Sequence, residues 1–155
     1  MKIKIVAVGT KMPDWVTQGV HEFTRRLPHE LAIEWREIPV VHRSKTLSLD
    51  ALIKKESDVI TSHLTPKEYC ILLDVKGKAY STKALALQWE RWKTNHSSIT
   101  FIIGGPNGVS EELVNRSNQR WSLSELTFPH PLVRLLLIEQ LYRVWSLSLN
   151  HPYHK

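Results

Sequence analysis

Apolar and polar positions change period along the chain in an order that predicts strands and helices in turn. Residues 2 to 8, KIKIVAV, alternate Lys with Ile and then run apolar into Gly9, the pattern of a buried strand ending in a turn. After the loop Gly9-Thr10-Lys11-Met12, Pro13 suits the first turn of a helix. Trp15, Val16, Val20, Phe23 and Leu27 form its apolar face, and Pro28 stops it. From Leu31 to Ile38 apolar residues nearly alternate with Glu34, Arg36 and Glu37, which predicts a half-buried strand closed by Pro39. Val41 to Leu47 carries His42, Arg43, Ser44 and Lys45 without any period and reads as a solvated loop.

Ser48 or Asp50 can cap a helix reaching about His63, with Leu52, Ile53, Val59 and Ile60 inward. Tyr69 to Val75 is a nearly unbroken apolar run, as expected of a central parallel strand covered on both faces. Lys76-Gly77-Lys78 predicts a turn into a helix from about Ser81 to Lys93, with Leu85, Trp89 and Trp92 inward. A second buried strand, Ile99 to Ile103, ends in Gly104-Gly105-Pro106-Asn107-Gly108. Ser110 then caps a helix whose first turn holds Glu111 and Glu112, near its positive end. Trp121 to Phe128 reads as a strand-like piece whose alternation changes phase at Glu125. This order predicts an α/β fold, a mainly parallel sheet flanked by helices, in one domain spanning residues 1 to 155.

The stretch from Thr127 onward organises the rest. Eleven of the sixteen residues from Leu132 to Leu147 are apolar, with no Gly or Pro between Pro131 and Asn150, so a helix of about 24 Å fits. Val133, Leu135, Leu137, Ile138, Leu141, Tyr142, Val144 and Trp145 cover a broad arc that only Arg134 interrupts. Glu139, Gln140, Arg143 and Ser146 fall on a narrow strip shared with Leu132, Leu136 and Leu147. Two apolar faces require two partners, the protein's own sheet and a second copy of the chain. Groups capable of chemistry flank the helix, His130 before it and His151, Tyr153, His154 and Lys155 after it.

Charge and cysteine content narrow the class. Twenty-one Lys and Arg against fifteen Asp and Glu give a net charge of +6, which favours polyanionic partners. The single cysteine, Cys70, lies in an apolar run and suits a reducing compartment, where it packs as a small apolar side chain. The opening MKIKIVAVGT is too short an apolar run for a signal peptide, and nothing approaches the roughly 20 apolar residues of a membrane span. The expectation is a soluble cytoplasmic protein without membrane contact.

Ligands of parallel sheets sit outside the carboxyl ends of strands. Three such ends stand out: Leu73-Asp74, Gly104-Gly105-Pro106 and the segment Ser124 to Pro129. The glycine-rich loop is neither GxGxxG nor GxxxxGK[ST], and Pro106 lacks the N–H of a phosphate cradle, which argues against dinucleotides and triphosphates. IIGGPNG, SLSELTFPHPLVR, YRVW and NHPYHK, together with the opening VAVGTKMPDW, resemble the SPOUT superfamily of trefoil-knot methyltransferases. Within it they are similar to the family that methylates N3 of a pseudouridine in 23S ribosomal RNA.

That resemblance implies S-adenosyl-L-methionine held by Leu73, Gly105, Ser124, Glu125, Leu126, Thr127, Phe128 and Pro129, largely through backbone groups. It also implies a knot within about residues 69 to 155, and a homodimer whose active sites include both subunits and which acts on the assembled ribosome. Carried onto the matching carboxyl-terminal motif, the catalytic candidates are His130, Arg143, Tyr153 and His154. Arg143, His154 and Lys155 are candidates for RNA binding. Arg143 would hold base oxygens or a phosphate, His130 or His154 would relay a proton, and Tyr153 would stack on or position the base. A plain pair of Arg143 with Glu139 one turn earlier competes with that role. Lys155 stands where the family often has Arg, which keeps the charge and loses the planar fork. One cysteine and no carboxylate cluster argue against a metal. Two other readings stay open, a SPOUT methyltransferase with another RNA target and a non-catalytic ribosome-binding module.

Overall fold

A computed structural model describes residues 1–154. Five strands, β1 (Lys2–Val8), β2 (Ile33–Ile38), β3 (Tyr69–Ala79), β4 (Ser98–Ile103) and β5 (Gln119–Ser122), form one sheet in the order β2-β1-β4-β3-β5. Every neighbouring pair is parallel. The helices are α1 (Asp14–Thr24), α2 (Leu49–Ser62), α3 (Thr82–Asn95), α4 (Glu111–Arg116) and α5 (His130–Ser148). Ser48, Ser81 and Ser110 cap α2, α3 and α4, each hydroxyl accepting from the backbone N–H three residues on.

The sheet buries both faces because its central strands are apolar at successive positions. On one face Ile3, Ile5, Ile71 and Phe101 pack with Trp89 and Trp92 of α3 and with Leu137, Ile138 and Leu141 of α5. On the other, Val6, Val8, Cys70, Leu72 and Ile102 meet Ile60 of α2 and Leu113 of α4. The period of two in β1 divides its side chains between these layers.

Several element boundaries differ from those the pattern predicts. Leu31 is buried at the end of a single 3-10 turn, His29–Leu31, and the strand begins at Ile33. Lys76-Gly77-Lys78 is no turn into a helix, because β3 runs on to Ala79. Trp121 pairs with both Leu73 and Lys78, so the intervening residues are looped out of register. A Cβ at Gly77 would lie 2.7 Å from the backbone of Arg120 and Trp121, so this approach requires glycine. The strand expected from Trp121 to Phe128 is Gln119–Ser122. β5 is an edge strand paired among the described residues with β3 alone, which ends at Ala79 opposite Ser122. Beyond it the chain bonds to itself, with Ser122 Oγ donating to the Ser124 carbonyl and Leu126 N–H to Ser124 Oγ.

Two helix faces are also revised. Val59, expected inward, is exposed, and Glu56 and Ser57 are buried in α2. In α5 Ser146, expected on the polar strip, is fully buried with its hydroxyl donating to the Arg143 carbonyl, and Arg134 is buried with the apolar arc.

Candidate functional site

A cleft of about 390 Å³ opens beyond the carboxyl end of β4, beside Leu73 to Val75 where β3 runs on past its pairing with β4. Leu73, Ile103, Val109 and Phe128 supply its apolar walls, and Gly104, Gly105, Pro129 and His130 bring backbone close to the space. A smaller cavity of about 100 Å³ adjoins it through Leu73, Asp74, Val75, Phe128 and Val133, and adds Ser124, Leu126 and Thr127. The three segments singled out by the sequence thus meet in one place, although Leu73-Asp74 lies within β3 and is not its end. Seven of the eight expected cofactor residues line these two cavities; Glu125 is exposed and lines neither. Leu126 is itself 69% exposed, so it rims the space without enclosing it.

Local bonding fixes the loops. Gly108 N–H donates to the Gly105 carbonyl at 3.1 Å, and Gly108 takes φ +87°, a conformation that favours glycine. From beneath, buried Glu56 accepts from Val41 N–H at 3.0 Å, and its other oxygen lies 2.6 Å from where a Cβ on Gly105 would sit. Ser57 Oγ accepts from Ser110 N–H at 2.8 Å. Asp74 accepts from Lys76 N–H at 2.9 Å and from Arg120 Nη2 at 2.6 Å. Burial pushes the Asp74 carboxyl upward, but these donors and the Arg120 charge win, and it stays below the usual carboxylate range.

His130, the first residue of α5, forms part of the cleft wall. Its Nε2 accepts from Arg134 Nε at 3.3 Å. Burial and then the Arg134 charge push the imidazole below its ordinary value, against the opposing effect of the Gly104 carbonyl.

The other expected catalytic residues gather at the far end of α5. Glu139 Oε1 accepts from Arg143 Nε at 2.9 Å, from Arg143 Nη2 at 2.5 Å and from the Tyr153 hydroxyl at 3.0 Å. The Arg143 guanidinium lies 5.1 Å from the Tyr153 ring centre, and Tyr153 packs edge-on against Tyr142. The bond to Glu139 raises the Arg143 value, while burial and then the same carboxylate raise that of Tyr153, so the phenol stays protonated. His154 Nδ1 is buried without a hydrogen-bond partner among the described residues. Lys155 lies outside the described residues. Thirteen residues of helix separate His130 from Arg143, about 20 Å, so one chain does not bring the two ends of the expected catalytic set together.

Three further cavities are larger, among them one of about 460 Å³ beside Lys83, Ala86, Leu147 and Leu149, between α3 and α5. One of about 560 Å³ lies between α1 and β2, lined by Met12, Val16, Trp35, Glu37 and Arg134, and one of about 600 Å³ lies beside Lys2, Lys4 and Glu68. None of the three touches the carboxyl end of the middle strand, β4, or the loop from Ser124 to Pro129. No group of three or more His, Cys, Asp or Glu able to hold a metal occurs among the described residues. Nor does any described helix have the length and apolarity to cross a membrane.

An all-parallel α/β layer with a mostly apolar cleft outside the ends of its central strands defines a small-molecule-binding enzyme class. A family model described as "Predicted SPOUT methyltransferase" matches residues 1–154, and the chain belongs to the SPOUT methyltransferase family. Its relatives include proteins named "Ribosomal RNA large subunit methyltransferase H" from Azotobacter vinelandii and Stutzerimonas stutzeri, each 48% identical over 155 residues and all of both chains. One from Pseudomonas entomophila is 46% identical over the same span.

Arg134, Glu56 and Arg120, the partner of Asp74, were not among the residues the sequence pointed to. For Arg134 a signal existed, a cation inside an apolar arc four residues after His130. Glu56 carried none, since Lys-Lys-Glu-Ser reads as an ordinary exposed turn of helix.

Proposed function

We propose that this protein transfers a methyl group from S-adenosyl-L-methionine to N3 of a pseudouridine in 23S ribosomal RNA, as a cytoplasmic homodimer acting on the assembled ribosome. The observation that carries this reading is the meeting of Leu73, Gly105 and the Ser124-to-Pro129 loop around one cleft. The relatives' names supply the substrate class, ribosomal RNA of the large subunit. The chain is read as one SPOUT domain with its knot within about residues 69 to 155.

The cleft suits the donor chemically. Leu73, Ile103 and Phe128 offer apolar faces to a purine, and backbone groups around Gly104-Gly105 and Ser124 to Pro129 can read its edge. Asp74, already paired with Arg120, adds a carboxylate to the cleft lining, and no phosphate has to be cradled. When bound, the donor supplies an activated methyl on a sulfonium. The protein's own work is to orient the acceptor and exclude water.

The acceptor nitrogen is an imide that carries a proton, so transfer requires a proton acceptor and donors for the flanking carbonyls. We assign the donors to Arg143, held in place by Glu139, and the positioning of the base to Tyr153, whose ring lies beneath that guanidinium. The proton goes to His154, whose Nδ1 has no hydrogen-bond partner among the described residues, because the Nε2 lone pair of His130 is engaged by Arg134. Since about 20 Å of helix separates these groups from the cleft, a second copy must present its tail there. The half-buried Val133, Leu135, Leu136 and Trp145 of α5 offer it an apolar seat.

Calorimetry with S-adenosyl-L-methionine tests the donor site. Saturable binding that is lost on Gly105→Val supports the reading, and absence of binding to the folded wild-type protein rejects it.

A further inference from the structure

Arg134 is a buried cation whose donors are nearly all engaged. Nε donates to His130 Nε2 at 3.3 Å, Nη1 to Glu37 Oε2 at 2.6 Å, and Nη2 to the carbonyls of Gly9 at 2.5 Å and Val8 at 3.4 Å. Its guanidinium lies 5.6 Å from the centre of the Trp35 ring, on the first turn of the helix that opens with His130. Removing a guanidinium from water is unfavourable unless such partners replace the solvent, so these bonds have to form together. They join three segments, the end of β1, the end of β2 and the start of α5.

The backbone at Gly9 is shaped around this pair. Gly9 adopts φ +112°, and a Cβ there would meet Met12 Cε at 3.2 Å, Arg134 Nη2 at 3.5 Å and His130 Nε2 at 3.6 Å. The two side chains also divide two cavities. His130 lines the 390 Å³ cleft, and Arg134 lines the 560 Å³ cavity between α1 and β2.

The bond between them fixes a tautomer. A guanidinium N–H can only donate, so His130 Nε2 must present its lone pair. The imidazole proton then sits on Nδ1, and Gly104 lines the same cleft as the ring. We propose that Arg134 is a positioning residue of the cleft, holding His130 in one orientation and as the Nδ1–H tautomer, so that the ring is wall and not base. This rests on the methyl-donor reading for the identity of the ligand only. Lysine cannot substitute, because one ammonium has no planar fork with which to reach His130, Glu37 and Gly9 at once.

Imidazole 15N NMR on the full-length protein without ligand, paired with calorimetry using S-adenosyl-L-methionine, tests the assignment. The wild type should show His130 as the Nδ1–H tautomer, unchanged between about pH 8 and pH 6, where an ordinary histidine near 6.5 begins to titrate. Arg134→Gln and Arg134→Lys should both release the ring to titrate and weaken donor binding about tenfold, the usual scale for losing an orienting outer partner. Glu37→Gln leaves the His130 and Gly9 bonds in place and should keep the tautomer. An Nε2–H tautomer in the wild type overturns the proposal, as does an unaltered His130 spectrum or unaltered donor affinity in Arg134→Gln. Should both Arg134 variants fail to fold, the wild-type tautomer and the Glu37→Gln spectrum still decide it. A wild type that binds no donor rejects the methyl-donor reading and leaves the tautomer measured by NMR unaffected.

Discussion

His130 meets protons only at a disadvantage, because its ring is buried and faces the Arg134 charge. Its folded-state value lies below its unfolded one, so at mildly acid pH the unfolded chain binds the extra proton and folding weakens. The contribution is therefore complete at neutral pH and is lost as pH falls through about 6.5 towards the lower folded value. His130→Gln should flatten the fall in thermal stability between about pH 7 and pH 5; an unchanged slope would assign that fall to other groups. At the opposite end of α5, Tyr153→Phe removes a donor to Glu139 and His154→Ala removes an imidazole whose Nδ1 has no hydrogen-bond partner among the described residues. Both should leave folding and donor affinity near wild type while lowering methylation by about 10²-fold or more for His154→Ala, the usual scale of a proton-transfer group. Equal turnover in His154→Ala would remove the base assignment. The side chains that gather around the cleft were legible because their strand ends were. Arg134, Ser146 and Glu56 were not: a cation inside an apolar arc looks the same in sequence whether it reaches a buried carbonyl or water, and Ser146 and Glu56 sit among polar neighbours that read as an exposed strip.

At the scale of elements, the apolar runs of β1, β3 and β4 and the serine caps of α2, α3 and α4 were readable because burial on both faces and capping leave local marks. The continuation of β3 past Val75 was not. Lys76-Gly77-Lys78 has the composition of a turn, and only the distant β5 backbone, which closes on Gly77, makes it strand. For the same reason β5 could not be bounded from its own alternation, as its length is set by β3. Gly77→Ala should cost about 1–3 kcal/mol, the range for forcing atoms into a packed site, because the new Cβ meets backbone that cannot rotate away. Urea unfolding measures it; a loss within error would mean that β3 and β5 separate without penalty.

The whole molecule combines a net charge of +6, a cleft at the ends of its central strands, and an α5 helix with apolar side chains left half-covered after packing on the sheet. Sedimentation should therefore give about 36 kDa, twice the 18.0 kDa chain, and a persistent monomer at micromolar concentration would leave the tail stranded far from the cleft. The length of α5 was legible in its apolar period, but no local period could reveal where the tail folds back on α1 and α5. The most direct measurement incubates the purified protein and S-adenosyl-L-methionine with ribosomes that lack the modification, then identifies the nucleosides of the 23S RNA by mass spectrometry. One new N3-methylpseudouridine per ribosome is the predicted result; RNA that stays unmethylated, or that gains its methyl on a different base, would contradict it.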